Sequence, residues 1–172
     1  RVGKTVDGVE TRYLVDSSNP TGYSQTLEEQ DSAGNVIKRY TYGLDLVCVN
    51  EYTGGGWNTS YYGYDGMGSV RQLFDSSGNI TGKYTYDAFG LELANTASSS
   101  NPYRFHGEFY DRDIDLYYLR ARFMKPDIGR FWNMDSHEGI SENPMTIHKY
   151  TFTHNNAVNG IDPSGNFTLV EG

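Results

Sequence analysis

"DSAGNVIKRYTY" occupies residues 31–42, and "DSSGNITGKYTY" occupies residues 75–86. Each runs from an acid through small polar residues and Gly-Asn into an alternating segment that closes on Tyr-Thr-Tyr. Agreement over so many positions marks an internal repeat. Its physics is that of a hairpin: Gly34-Asn35 and Gly78-Asn79 supply the positive φ of a tight turn, and the residues that follow alternate with period two, as a half-buried strand must. Tyr40 and Tyr42 are expected to share one face, as are Tyr84 and Tyr86. Further glycines at 54–56, 63, 66 and 90 cut the surrounding chain into short strands. Residues 1–95 therefore read as a β-meander.

Outward from the repeat, "ANTASSSNP" (94–102) is the one candidate linker. It divides the meander from a denser region, 96–172, and the two are expected to fold as one cooperative domain. There "YRFHGEFYD" and "LYYLRARFM" read as two strands flanking the acidic turn "DRDID", and "GRFWNMD" (129–135) contains a short third. Asn143-Pro144 is a reasonable helix start and Asn155-Asn156 a reasonable stop, which predicts a helix from about 143 to 154. "DPSG" (162–165) has the residue order of a tight turn and is expected at the surface. "DGMGS" (65–69) is read as a hairpin turn rather than a phosphate loop, because no helical pattern follows it.

A chain of 172 residues fits one domain with a moderate core, here rich in tyrosine. The formal net charge is −8, the pI is near 4.9, and lysine and arginine are scattered. This argues against a nucleic-acid partner and against anionic membrane surfaces. No apolar run approaches membrane-spanning length, and the opening residues lack a signal-peptide core. The chain begins without Met and reads as a segment of something longer. Cys48 has no partner for an internal disulfide and suits a small buried position in a strand. His106, His137, His148 and His154 lack metal spacing, and "DRDID" lacks the glycine and the distal glutamate of a calcium loop, so no metal or cofactor is expected. Trp57, Tyr61, Tyr62 and Tyr64 could stack on sugars as a glycan contact, although cross-strand tyrosine packing explains the same pattern.

"YRFHGEFYDRDIDLYYLRARFMKPDIGRFWNMD" followed by "IHKYTFTHNNAVNGIDPSGN" resembles the repeat-associated core of Rhs proteins. This is the YD-repeat family that includes the C components of bacterial toxin complexes. The resemblance rests on Tyr110-Asp111, Leu116-Tyr117-Tyr118, Arg120 to Phe123, Gly129-Arg130-Phe131, Asp135, Asn155-Asn156 and Asp162-Pro163-Ser164-Gly165. It implies an all-β hairpin shell with a small, partly helical C-terminal plug. It further implies an upstream YD-repeat shell in the same polypeptide, a C-terminal effector as cargo, and secretion or cell-surface display as part of a longer bacterial protein.

In several toxin members of that family the core also cuts the chain just after the Asp-Pro-x-Gly turn by an aspartic-protease-like mechanism. The family pattern nominates Asp111 and Asp135 as the acids, with Arg130 positioned to orient a carboxylate or polarise the carbonyl. The cleavage-site turn would then be Asp162, Pro163, Ser164, Gly165 and Asn166. Such chemistry needs two carboxyls close enough to share a proton. The alternative is a structural network in which Asp111 caps the acidic turn and Asp135 pairs with Arg130 or Arg122. The chain departs from the family pattern at Asp115, Lys125, Ser136 and Asn166, where Gly, Asp, Pro and Leu are usual.

Overall fold

The structure is a computed structural model and describes residues 1–139, 141–166 and 168–170. The chain divides into two compact units. The first contains residues 1–63 and 72–81, and the second contains residues 64–71 and 82–172. Phe167, Glu171 and Gly172, at the end of the expected core region, lie outside the described residues.

In the first unit the strands are β1 (Gly3–Val6), β2 (Val9–Asp16), β3 (Gln25–Gln30), β4 (Val36–Tyr42), β5 (Leu46–Tyr52) and β6 (Trp57–Tyr64), whose last residue passes into the second unit. Each pairs antiparallel with its neighbour in sequence. This is the expected meander. Its connections are short because glycine and Asx turns reverse the chain within a few residues. Tyr40 is buried and its hydroxyl donates to Glu29 at 2.6 Å, which satisfies a carboxylate that is itself only 8% exposed. Cys48 lies buried in β5, as a small hydrophobe should.

The chain crosses between the units within β7 (Val70–Phe74) and β8 (Ile80–Tyr86). In β8, Tyr84 and Tyr86 are both buried and their rings stack 6.3 Å apart, so the shared face read from Tyr-Thr-Tyr is present. β9 (Glu92–Asn95) pairs with β8. A four-stranded antiparallel sheet follows, ordered β10 (Phe109–Asp111), β11 (Leu116–Leu119), β12 (Arg122–Lys125) and β13 (Arg130–Phe131). Tyr117, Leu119, Met124 and Phe131 of this sheet are each 2% exposed or less. Finally β14 (Gly160–Ile161) pairs with β15 (Leu169–Val170), so the chain doubles back after the Asp162 turn.

Three local expectations are corrected. "LYYLRARFM" is a hairpin, β11 and β12 joined at Arg120-Ala121, and Arg120 takes a φ of +57° that its strand-like composition does not announce. "YRFHGEFYD" is likewise broken, by a 3-10 turn at Phe105–Gly107. The helix predicted over 143–154 is absent. Pro144–Ile147 forms a 3-10 turn without a side-chain cap, Thr151 bridges to Arg130, and Thr153, His154 and Asn155 adopt φ values of +46°, +53° and +61°. Of the segment's large apolar residues only Phe152 is buried, while Met145, Ile147 and Tyr150 are exposed, and one buried ring is too little face to sustain a short helix.

Candidate functional site at the C-terminal turn

The residues "DPSGN" repeat a device used throughout the chain. At Asp31, Asp65, Asp75 and Asp87, the backbone N–H three residues on donates to the Asp carbonyl oxygen. At the same positions the carboxylate Oδ1 accepts from the N–H groups two and four residues on. Asp162 does much the same: Gly165 N donates to its carbonyl, and its Oδ1 accepts from Gly165 N at 2.8 Å and Asn166 N at 3.1 Å. The turn expected from the sequence is therefore formed. It is not at the surface, because Asp162 is only 3% exposed and Gly165 is buried.

The β11–β12 hairpin covers it. Arg120 Nη1 donates to the Pro163 carbonyl, Ala121 N to the Ser164 carbonyl at 3.3 Å, and Arg122 Nε to the Gly165 carbonyl. Three consecutive carbonyls of the turn are thus held by three consecutive residues of the hairpin. Such close approach requires glycine: a Cβ on Gly165, whose φ is +73°, would collide with the Leu119 carbonyl oxygen.

Arg122 is the centre of this clasp. It is 5% exposed, lies 3.5 Å from the Phe131 ring centroid, and pairs through Nη1 with Asp135 at 2.8 Å and through Nη2 with Asp162 at 3.4 Å. Nη1 also donates to the Lys149 carbonyl, which in turn accepts from Asp135 N. Burial lowers the Arg122 pKa, and Asp135 and Asp162 oppose that shift. Arg120 is held on its other side by Glu108, at 2.8 and 3.0 Å to the two carboxylate oxygens. Burial pushes the Glu108 carboxyl up to about 7 against the pull of Arg120.

The nominated residues separate. Directly opposed residues of an antiparallel pair point to the same face, and successive residues alternate. The registers Tyr110↔Tyr117, Tyr117↔Met124, Met124↔Phe131 and Leu119↔Arg122 place Arg122 on the buried face with Tyr117 and Phe131. Asp111, opposite Leu116, belongs to the reverse face. It closes the acidic turn, where Asp113 N donates to its Oδ1 and Ile114 N to its carbonyl. Arg130 is exposed on β13, at the far edge of the sheet from β10. The structure therefore joins Asp135 and the Asp162 turn through Arg122, while Asp111 lies on the reverse face of the sheet and Arg130 on its far strand. Lys125, where the family usually has Asp, pairs with Asp127 at 3.4 Å. Arg120 and Glu108 were not singled out from the sequence. The signals for them were the Arg-x-Arg spacing at a hairpin tip and the Asp-x-x-Gly order that "DPSGN" shares with the repeat turns.

The family model described as teneurin YD-shell matches residues 58–158, more than half of the chain. The chain belongs to the teneurin YD-shell family. This YD-shell segment is 36% identical to the tRNA3(Ser)-specific nuclease WapA of Bacillus spizizenii over 173 residues, covering 99% of this chain and 7% of that protein. It is also 36% identical to the tRNA(Glu)-specific nuclease WapA of Bacillus subtilis subsp. natto over 170 residues, covering 97% of this chain and 7% of that protein. Among solved structures, the crystal structure of TcdB2-TccC3 superposes with a TM-score of 0.65 at 21% identity, over 95% of this chain and 8% of that one, and so shares the fold. The YD-shell segment spans about 7% of the length of each of these two nucleases. No helix among the described residues is long and apolar enough to cross a membrane.

Proposed function

We propose that this YD-shell segment closes part of a β-hairpin shell around a C-terminal effector carried by the same polypeptide, outside the cell or at its surface. The observation that carries the reading is the buried clasp on Asp162–Gly165. A turn held by three carbonyl hydrogen bonds and an ion pair from Arg122 to Asp162 is a fixed exit point for the chain. The two WapA nucleases are consistent with a division of labour: this segment matches only 7% of each, and their names assign them different tRNA specificities. The test is to express the parent polypeptide with its downstream domain and follow that domain during protease digestion. Protection in the wild type that is lost in Arg122→Ala supports closure; equal digestion of the downstream domain alone and in the parent overturns it.

A second reading, aspartic-type self-cleavage just after Gly165, has one observation in its favour. Arg122 Nε donates to the Gly165 carbonyl, which is how a guanidinium would polarise a scissile bond. Against it, Asp135 and Asp162 are both ion-paired to Arg122, which favours the ionised form of each over a proton shared between them. Intact mass of the segment carrying a tag beyond Gly172 separates the readings. Release by the wild type that stops in Asp135→Asn and not in Asp111→Asn supports cleavage at the clasp; an undiminished mass leaves closure alone.

A further inference from the structure

His106 stands in the second unit, in the 3-10 turn Phe105–Gly107, at a φ of +51°. Its backbone N–H donates to the Oγ of the buried Ser69 at 2.9 Å. Its ring stacks on that of Phe105, with centroids 3.9 Å apart, and lies 5.9 Å from the ring of Phe152. Both imidazole nitrogens are buried, and neither completes a hydrogen bond among the described residues. The Oγ1 of Thr153, the residue after Phe152, is in the same condition. Buried polar groups of this kind are rare in folded proteins, and for a titratable one the cost depends on its protonation. The elements that meet at the ring are the Asp65–Ser69 turn, its own 3-10 turn and the segment from Phe152 to Ala157.

That last segment leads into β14 and the Asp162 turn. Phe152, Thr153 and Ala157 are each 3% exposed or less, and Thr153, His154 and Asn155 all hold positive φ, which residues other than glycine keep only where packing imposes it. A Cβ on Gly160 would lie 3.3 Å from the Asn156 carbonyl oxygen and 3.4 Å from the Thr153 Cβ, so β14 is packed on the same segment. We propose that His106 is an acid-sensitive latch on this segment: protonation of its ring frees residues 152–161 while the β10–β13 sheet stays folded. An imidazolium gains a cation–π attraction from the Phe105 face, but it then carries two buried N–H donors without acceptors, and the second effect is the larger. The charged neighbours do not rescue it. Asp65 attracts the ring but is already paired with Arg71 at 2.7 Å; on either side of the 3-10 turn, Arg104 is paired with Glu92 and Glu108 with Arg120; and His154, half-buried on the third element, adds a positive charge when protonated. Burial lowers His106 to about 4, and the Ala157 backbone opposes that shift without reversing it. A freed ring titrates near its ordinary value of about 6.5, so the closed state is favoured above that pH and is lost as pH falls toward 4. The latch acts on the segment itself, whatever the shell encloses.

The experiment is amide hydrogen exchange of the whole 172-residue chain at pH 7 and pH 5, expressed as protection factors so that the intrinsic pH dependence of exchange drops out. Protection within residues 152–161 should fall about twentyfold from pH 7 to pH 5, the ratio expected when a ring that titrates near 4 is released to about 6.5, and protection in β10 to β12 should stay level. His106→Gln, neutral at both pH values, should abolish the fall. His154→Asn, which tolerates the same backbone conformation, should keep it. Titration of the His106 ring in the wild type, followed by its nitrogen shifts in NMR, needs no variant to fold and should show a midpoint well below 6.5. Unchanged protection at 152–161, an equal loss across β10 to β12, a fall that persists in His106→Gln or disappears in His154→Asn, or a ring midpoint at about 6.5 or above would overturn the proposal.

Discussion

At the scale of single residues, Arg122 carries more of the tail than any acid named in the family pattern. Truncating it leaves Asp135 and Asp162 without their shared cation and the Gly165 carbonyl without its donor. Removing one partner of a buried ion pair typically costs about 3–5 kcal/mol. Arg122→Ala should therefore lower stability by about that much in urea unfolding, whereas Arg130→Ala, exposed on an edge strand, should change it by less than about 0.5 kcal/mol. Gly165→Ala should cost about 2 kcal/mol or more, because it adds a positive-φ penalty to a collision with backbone that cannot retreat.

Two buried titratable groups act in opposite directions on stability with pH. Burial lowers His106 to about 4, with the Ala157 backbone and Asp65 opposing. Its unfolded state binds the proton first, so its contribution is complete above about 6.5 and is lost as pH falls toward 4. Glu108 is raised to about 7, so its folded state binds the proton first and stability is lost as pH rises from about 4.5 to 7. In the wild type these slopes offset between pH 4.5 and 6.5. Melting temperatures across this window should fall with acid in Glu108→Gln and rise with acid in His106→Gln. Parallel profiles for the two variants would contradict the assignment. The His106 effect, integrated over this window, is about 2 kcal/mol.

At the scale of elements, one turn is used repeatedly with different consequences. Around Asp31 and Asp75 the second carboxylate oxygen accepts from the amide of Asn35 or Asn79, and both carboxyls are held below the usual range by those asparagines. Around Asp65 that oxygen meets Arg71, and around Asp162 it meets the buried Arg122. The same local chemistry thus makes an exposed hairpin in one place and an anchored exit in another. Gly34 and Gly78 have φ of +86° and +81° with open space around them, so substitution there meets only the backbone penalty. Gly78→Val and Gly34→Val should each cost about 1–2 kcal/mol, similar to one another and less than a β-branched residue at Gly165 would. Thermal unfolding of the three variants checks the order.

At the scale of the molecule, the first unit is a meander whose strands pair only with sequence neighbours, while the second depends on contacts between residues some forty positions apart, as between Arg122 and Gly165. Amide exchange should register that difference. In Arg122→Ala, protection should fall at residues 160–166 and 168–170, where β14 and β15 pair, and stay unchanged in β1 to β5. Equal loss across both regions would show that the clasp is not a local device.

The meander, the tyrosine faces and the turn at Asp162 were legible in the sequence, because period-two alternation and Asp-x-x-Gly chemistry act within a few residues and need no distant partner. The break in "LYYLRARFM" was not legible. Arg120 enters the positive-φ region where Glu108 and the Pro163 carbonyl hold its guanidinium, and neither is near it in sequence. Helix signals at Asn143-Pro144 failed for the same reason: capping residues propose a helix, but only a buried face sustains one. Which acids meet was likewise a tertiary matter. Register decides on which side of a sheet a carboxylate emerges, and a shift of one residue reverses it. That alternation sets Asp111 on the face opposite Arg122, while Asp135 and Asp162, from separate segments, converge on Arg122 because a buried guanidinium needs their charge.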